Sequence, residues 1–243
     1  MLGSFLAALV LAPAQPVLIA VVDTGANVRL PAIAATYDVR TGGRDVRDRN
    51  GHGTKVASLI ARSSGNARLM IIRAGSASGA FSDAGEATAI RYAVDHGARI
   101  VNLSLGGPRT SNAERAAIKY AIARGVLVVA AAGDDYANRA EYPAALLGSA
   151  GLAVAAVTSS GERALFSNTG PWVSIAALGE KGTSLAAPLV SAAAARVWAA
   201  NPALTARQVV RLLESTASGH GVHTDALGFG VLDVASAVAA ASR

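Results

Sequence analysis

The sequence predicts an α/β fold of three layers, in which a mostly parallel sheet of about seven strands is covered by helices on both faces. Two observations carry this prediction. Short apolar runs rich in β-branched residues alternate with longer segments whose apolar residues recur at helical spacing, and such alternation is typical of βαβ units. The chain of 243 residues is also 52% hydrophobic and 16% charged, which fits one globular domain with a sizeable core.

The first predicted strand is a continuous apolar run at residues 17–22, which is typical of a parallel strand buried on both faces. Further strands are expected at residues 68–72, 100–105, 126–130, 152–157 and 172–175. Helices are expected at residues 55–61, 84–96, 112–123 and 189–198, and two more should be capped by Thr205 and Asp233 and end near Ser215 and Ala241. Residues 40–50 are predicted to be a loop.

Composition and charge exclude several classes of function. The chain has no cysteine, so disulfides and thiolate metal sites are ruled out. The net charge is +6 and the pI about 10.2, but the arginines are scattered and no basic run is interleaved with aromatic residues. We therefore expect a solvated basic surface and no nucleic-acid partner.

The first 16 residues are set apart from the predicted domain at residues 17–243. An apolar run from Leu2 to Leu11 is followed by Ala12-Pro13-Ala14, which has the small-x-small form of a signal-peptide cleavage site. No basic residue precedes the run, so the alternative is an N-terminal helix that packs on the domain. We favour the signal peptide and hence a secreted or periplasmic location. The run is too short to span a bilayer.

Three polar residues are candidates for chemistry. Asp23 ends the first predicted strand, where α/β sheets place catalytic and ligand-binding groups, although a lone Asp there is more often a turn cap. His52 stands between two glycines, which close approach of another segment would explain; the other three histidines are expected at the surface. Ser184 lies at the predicted start of the apolar helix, where the helix dipole favours negative charge, although an N-cap is the commoner role of such a serine.

Taken together, these residues and their surroundings resemble the subtilisin-like serine proteases, the subtilases of peptidase family S8. The resemblance runs from about Val17 to the C-terminus, and the order Asp, His, Ser distinguishes this family from other serine hydrolases. The matching blocks, in the family's order, are Val21-Val22-Asp23-Thr24-Gly25, Gly51-His52-Gly53-Thr54, Asn102-Leu103-Ser104-Leu105-Gly106-Gly107, Ala131-Ala132-Gly133, Tyr142-Pro143-Ala144, Phe166-Ser167-Asn168, Gly182-Thr183-Ser184-Leu185-Ala186-Ala187-Pro188 and Gly228-Phe229-Gly230-Val231-Leu232-Asp233.

The resemblance implies a serine endopeptidase that works through an acyl-enzyme intermediate on peptide or protein substrates. Ser184 would be the nucleophile, His52 its general base and Asp23 the group that orients His52. The backbone N–H of Ser184 would donate to the oxyanion. Ser104-Leu105-Gly106 would pair with the substrate as an added strand, and Ala131-Ala132-Gly133 would form a wall of the pocket for the side chain that precedes the cut.

The residue after that wall departs from the family. Asp134 occupies the position of an asparagine whose amide is usually the second oxyanion donor, and an ionised carboxylate only accepts hydrogen bonds. Loss of such a donor costs roughly 100–1,000-fold in rate. We hypothesise that Asp134 is protonated when the enzyme is active, or that activity is low and favours acidic pH. The alternative function is a weak or inactive relative that binds peptides along residues 104–106.

Other comparisons with the family lead to further expectations. Leu185 and Leu189 replace the family's Met and His and are expected to be packing substitutions. Residues 62–68 are too few for the family's calcium loop, so we expect no metal site, and Asp45 and Asp48 should be solvated.

Only 22 residues precede Asp23, which leaves no room for the propeptide common in secreted members. We expect no cofactor and a monomer. An α/β esterase is disfavoured because the chain lacks Gly-x-Ser-x-Gly at the serine and has a different triad order.

Overall fold

The computed structural model describes residues 15–27 and 32–243. The strands within these ranges are β1 (Leu18–Asp23), β2 (Ile33–Asp38), β3 (Arg68–Arg73), β4 (Ile100–Leu103), β5 (Leu127–Ala131), β6 (Leu152–Val157) and β7 (Ile175–Leu178). The helices are α1 (His52–Ser63), α2 (Asp83–Asp95), α3 (Asn112–Ala123), α4 (Thr183–Ala200), α5 (Ala206–Thr216) and α6 (Val234–Ala241), with short 3-10 helices at Ala144–Leu146 and Gly148–Ala150.

The seven strands form one sheet in the order β2-β3-β1-β4-β5-β6-β7, and every neighbouring pair is parallel. Side chains that alternate along β1 divide the core into two. Ile19 and Val21 pack with α1, α4, α5 and α6, whereas Ala20 and Val22 pack with α2 and α3 on the opposite face. Successive residues along a strand face opposite helical layers. The sheet with helices on both faces confirms the predicted three-layer fold class.

Most predicted elements occur where the sequence placed them, and the helix caps are confirmed. The hydroxyl of Thr205 accepts a hydrogen bond from Gln208 N–H, and Gln208 reaches back to the Thr205 N–H in a capping box. The Asp233 carboxylate caps α6 by accepting from Ser236 N–H.

Three differences have identifiable causes. No strand was predicted at β2, whose residues are mostly half-exposed. The last strand was predicted at residues 172–175 but lies at Ile175–Leu178, as β7. The prediction missed it because its Ala-rich sequence has weak β propensity. Helix α4 begins at Thr183, so that Pro188 lies in its second turn rather than the first; the carbonyl that loses its helical partner belongs to Ser184.

Two predictions for the N-terminal segment fall on residues 1–14, which lie outside the described ranges. These are the signal peptide and the alternative N-terminal helix. Among the helices that the structure does describe, none is long and apolar enough to cross a membrane.

Two carboxyl groups are buried where α2 and α3 pack together. Glu86 is 5% exposed and Glu114 is 3% exposed, and Glu86 Oε1 and Glu114 Oε2 find no hydrogen-bond partner among the described residues. Burial, followed by the proximity of Glu114 and Asp83, raises the pKa of Glu86 to about 8. The folded chain therefore keeps a proton on Glu86 near neutral pH.

We predict that Glu86→Gln stabilises the chain at alkaline pH. Between the ordinary pKa of 4.5 and the raised value of about 8, the folded state holds a proton that the unfolded chain has lost. Stability therefore falls as the pH rises through this window, and the neutral amide removes that loss. The free energy of unfolding should increase on the order of 2 kcal/mol at about pH 9, with little change at about pH 4.

Urea denaturation at the two pH values measures this effect. The exposed Glu180→Gln variant is the control and should change stability equally little at both. An equal effect of Glu86→Gln at both pH values would show that ionisation of Glu86 does not oppose folding.

Candidate active site

The predicted site residues gather at the carboxyl edge of the parallel sheet. Asp23 is the last residue of β1, Ser104 directly follows β4, and Ala131 is the last residue of β5. His52 opens α1 and Ser184 is the second residue of α4. Because parallel strands end at the same edge, residues far apart in sequence come together here.

The structure brings Asp23, His52 and Ser184 into one hydrogen-bonded series. His52 Nδ1 lies 2.8 Å from Asp23 Oδ1 and 3.0 Å from Oδ2. On the opposite side of the ring, His52 Nε2 lies 3.1 Å from Ser184 Oγ. With the proton on Nδ1, Nε2 is free to accept the hydroxyl proton of the serine.

The electrostatics of this series favour a histidine that can take up a proton. The Asp23 side chain is fully buried and the His52 side chain is 30% exposed. The hydrogen bond to Asp23 raises the pKa of His52, although partial burial of the ring opposes the effect. The imidazolium that forms when His52 removes the serine proton is therefore stabilised by the buried carboxylate.

The glycine after His52 is required by close contact between α1 and the end of β1. A Cβ built on Gly53 would lie 2.2 Å from the carbonyl oxygen of Gly25 and 3.0 Å from Asp23 Oδ1. No larger residue fits without moving the helix away from Asp23. Close approach of another segment, as predicted for the two glycines around His52, therefore explains Gly53. It does not explain Gly51, which has no neighbour within 4 Å of a built Cβ and instead adopts a φ of +96° at the start of α1. His96, His220 and His223 are exposed, also as predicted.

Asp48 corrects the expectation that both acidic loop residues are solvated. Asp45 is exposed, but Asp48 is only 4% exposed. Its carboxylate accepts hydrogen bonds from the hydroxyls of Thr24 at 2.9 Å and Thr54 at 2.6 Å, and from the N–H groups of Asn50, Gly51 and Thr54.

Burial alone would raise the pKa of Asp48, but these hydrogen bonds, led by Thr54, lower it to about 2. The charged carboxylate thus joins two parts of the site. Through Thr24 it contacts the residue after Asp23, and through Gly51 and Thr54 it holds the start of α1, which carries His52. Asp48 therefore positions His52 without touching it.

Ser184 does not cap the helix on which it lies. The N-cap position of α4 is Gly182, with φ +146°, and this residue has no side chain with which to cap the helix. The Ser184 hydroxyl is hydrogen-bonded to His52 instead. Between the nucleophile and N-cap interpretations of this serine, the geometry supports the nucleophile.

A cleft of about 400 Å³ opens beside the hydroxyl of Ser184. Five of the six predicted substrate-binding residues line it, namely Ser104, Leu105, Gly106, Ala131 and Gly133. The sixth, Ala132, is fully buried and packs behind the wall with Ala155 and Val173. The cleft thus joins the predicted substrate strand, the predicted wall and the serine in one continuous space.

Asp134 lies at the rim of this cleft, next to the first turn of α4. Its Oδ1 accepts a hydrogen bond of 2.8 Å from the N–H of Thr183. Its Oδ2 and the Ser184 hydroxyl both flank Gly182, because a Cβ built on this glycine would lie 3.0 Å from Oδ2 and 3.2 Å from Ser184 Oγ. An acceptor therefore occupies the side of the cleft where an oxyanion donor is expected.

Several cleft residues were not predicted from the sequence. They are Thr24, Asn50, Gly79, Phe81, Asp135, Glu141 and Thr183. Glu141 directly precedes the Tyr142-Pro143-Ala144 block, but nothing in the local sequence indicates that its side chain is buried. Only contacts between distant loops reveal it.

The remaining expectations concern packing and metal sites. Leu185 and Leu189 pack partly buried against the main core, which confirms them as packing substitutions. In the described part of the chain, no group of three or more His, Asp or Glu side chains is arranged to hold a metal ion. The expectation of no metal site stays a prediction.

Comparisons with known proteins agree with this geometry. The chain is 34% identical to an alkaline protease of Alkalihalobacillus alcalophilus, over 90% of this chain and 63% of that protein. It is 33% identical to subtilisin Savinase of Lederbergia lenta, over 90% of this chain and 89% of the relative. The chain thus spans less than two thirds of the length of the first relative.

Two solved structures share the fold. A cold-adapted subtilisin-like serine proteinase matches with a TM-score of 0.79 and 31% identity, over 89% of this chain and 88% of the other. A protease of Pseudoalteromonas arctica matches with a TM-score of 0.83 and 27% identity, over 95% and 91%. The sequence profile of the subtilase family, peptidase S8, matches residues 14–231. The chain therefore belongs to the subtilase family.

Proposed function

We propose that the chain is a serine endopeptidase that cleaves peptide bonds through Asp23, His52 and Ser184. The single observation that carries this proposal is the series of hydrogen bonds from the buried Asp23 carboxylate through His52 to the Ser184 hydroxyl. Membership of the subtilase family supports the same activity. We further propose that residues 17–243 form one peptidase domain and act as a monomer.

The reaction follows from the roles that these atoms can take. His52 Nε2 removes the proton from Ser184 Oγ as the oxygen attacks the substrate carbonyl carbon. Asp23 holds the Nδ1 proton of His52 and stabilises the imidazolium. His52 then gives its Nε2 proton to the leaving amine, which departs from the acyl-enzyme. A water activated by His52 hydrolyses the ester and restores Ser184.

The negative oxygen of the tetrahedral intermediate would be held at the start of α4. The N–H of Ser184 is the proposed donor, and the positive end of the helix dipole adds to it. The N–H of Thr183 is already bound to Asp134. We propose that Asp134 limits the rate because its charge faces the same space as the developing oxyanion.

The proposed substrate is a peptide or protein that lies along residues 104–106 in extended form. Ser104, Leu105 and Gly106 line the cleft beside Ser184, which suits pairing of backbone groups with an added strand. We propose a secreted or periplasmic location, supported by the apolar run from Leu2 to Leu11 and the following Ala12-Pro13-Ala14.

Covalent labelling of the serine tests the proposal directly. We predict that a fluorophosphonate probe labels the chain and that Ser184→Ala abolishes the labelling, because Ser184 is the serine whose hydroxyl is hydrogen-bonded to the His52 base. Mass spectrometry of the labelled peptide locates the adduct. The exposed Ser215→Ala variant should be labelled as the parent chain is. A chain that binds peptides but shows no labelling dependent on Ser184 would be an inactive relative.

The pH dependence of activity should report His52. Only the neutral ring accepts the serine proton, so kcat/KM should rise with pH through a pKa above 6.5, the direction in which Asp23 moves it. In Asp23→Asn this rise of kcat/KM should occur at lower pH. The value of kcat should fall roughly 10,000-fold, because the variant favours the wrong tautomer of His52.

Rates measured from about pH 5 to 9 test this prediction, with the exposed Asp225→Asn variant as control. If kcat/KM rises at the same pH in Asp23→Asn as in the parent chain, His52 is not the titrating base.

Replacement of Asp134 by Asn should increase the rate. The two side chains have the same shape, so the amide oxygen of the variant can still accept from the Thr183 N–H, while an N–H₂ group takes the place of Oδ2 near Ser184. We predict that Asp134→Asn raises kcat by about 10–1,000-fold at neutral pH. If kcat and the pH profile are both unchanged, Asp134 does not face the oxyanion.

A further inference from the structure

Glu141 is buried at the inner end of the cleft and is not used by the proposed mechanism. The residue is 7% exposed, and it lies in the segment just before Tyr142, whose backbone pairs with Gly107 through two hydrogen bonds of 2.9 Å. This pairing fixes Glu141 beside the predicted substrate strand, residues 104–106. The cleft that contains Glu141 also contains Ser184 and His52.

Two glycines make room for the Glu141 side chain. A Cβ on Gly106 would lie 2.7 Å from Glu141 Oε1, and a Cβ on Gly133 would lie 3.0 Å from Glu141 Cγ. The carboxyl group therefore packs between the substrate strand and the wall formed by residues 131–133. Any other residue at either glycine would collide with it.

Nothing in the described part of the chain neutralises this carboxyl group. Neither oxygen accepts a hydrogen bond from a described residue, and Oε2 is fully buried. Arg139 is a cation that lowers the pKa of Glu141, but it is exposed and paired with Asp135 at 2.6 Å. A buried carboxylate without a partner is costly, so a cation that enters the cleft gains a strong partner.

The rest of the cleft has the same sign of charge. Asp134 and Asp135 also line it, and none of its described lining residues is Lys or Arg. This contrasts with the net charge of +6 for the whole chain. Asp135 is offset by its ion pair with Arg139, so the local field comes mainly from Asp134 and Glu141, and it attracts positive charge to a chain that is basic overall.

We propose that Glu141 determines cleavage preference: the cleft accepts the Lys or Arg side chain of the residue before the scissile bond, and its cation pairs with the Glu141 carboxylate. This inference rests on the proposed function and deepens it by naming the substrate class. The cation lies between the wall and the substrate strand, while the backbone carbonyl of the same residue reaches Ser184.

The preference depends on the charge of Glu141. Burial, followed by repulsion from Asp135, raises the pKa of Glu141 to about 7, although Arg139 opposes the shift and Asp134 adds to it. The cleft therefore gains a negative charge as the pH rises through neutrality. Discrimination in favour of a cationic side chain should increase over the same range.

A pair of peptides that differ only in charge tests the assignment. One has arginine before the scissile bond, and the other has citrulline, which has nearly the same shape but is neutral. We expect kcat/KM for the arginine peptide to exceed that for the citrulline peptide by at least about 30-fold at pH 8.5. Glu141→Gln should reduce this ratio to within about threefold of unity, and urea denaturation of the variant checks that it is folded. The exposed Glu162→Gln variant is the control and should keep the ratio of the parent chain.

A second measurement needs no substitution. In the parent chain the ratio of the two kcat/KM values should increase at least about fivefold from pH 6 to pH 8.5. The titration of His52 affects both peptides equally and cancels in the ratio. This result remains informative if Glu141→Gln fails to fold.

The outcomes separate this inference from the proposed function. If the parent chain shows no fluorophosphonate labelling, or labelling that is unchanged in Ser184→Ala, the proposed function is overturned. A chain that is labelled at Ser184 but cleaves both peptides equally, or neither, overturns only the assignment of Glu141. A preference for arginine that persists in Glu141→Gln does so as well.

Discussion

A fully buried carboxylate at the end of β1 is the group on which the arrangement of the site depends. Asp23 accepts hydrogen bonds from the Thr24 N–H at 2.7 Å and from His52 Nδ1 at 2.8 Å. A buried carboxylate is tolerated only when such donors surround it. The start of α1 must therefore lie against the end of β1, and Gly53 allows this approach. His52 is then held with its other nitrogen directed at Ser184.

The interior of the fold could be predicted from the sequence, and the two edges of the sheet could not. The interior strands β1, β3, β4, β5 and β6 are nearly continuous apolar runs, because helices cover both of their faces. The two strands that were missed or displaced, β2 and β7, are the edge strands. The residues of β2 are mostly half-exposed, because an edge strand is enclosed on fewer sides. The first three residues of β7 are buried, but its alanines give a weak strand pattern.

The site residues also fall into two groups, those that the sequence predicted and those that it did not. Asp23, His52 and Ser184 occur in short motifs that carry their own glycines, so the sequence predicted them. Asp48 and Glu141 have no such motif, because their burial results from loops that meet only in the folded chain. Asp48 is covered by Thr24 and Thr54, and Glu141 by Gly106 and Gly133. Local composition cannot distinguish these two from the solvated acids beside them, such as Asp45 and Asp135.

The number of hydrogen-bond donors decides what each buried acid does. Asp48 receives donors from side chains and backbone, and its pKa falls to about 2 despite burial. Such a group is charged at every working pH, satisfied by the protein itself and suited to hold other residues in place. Glu141 is also buried but receives no donor from the described residues, and its pKa rises to about 7. Its carboxyl group lines a cleft that a substrate can enter. Because the fold supplies no donor, the substrate supplies the partner. Glu86 also lacks donors, but it is buried between α2 and α3 and does not line this cleft. Burial alone therefore does not separate a structural acid from a recognition site; the supply of donors within the fold and access to a cleft together do.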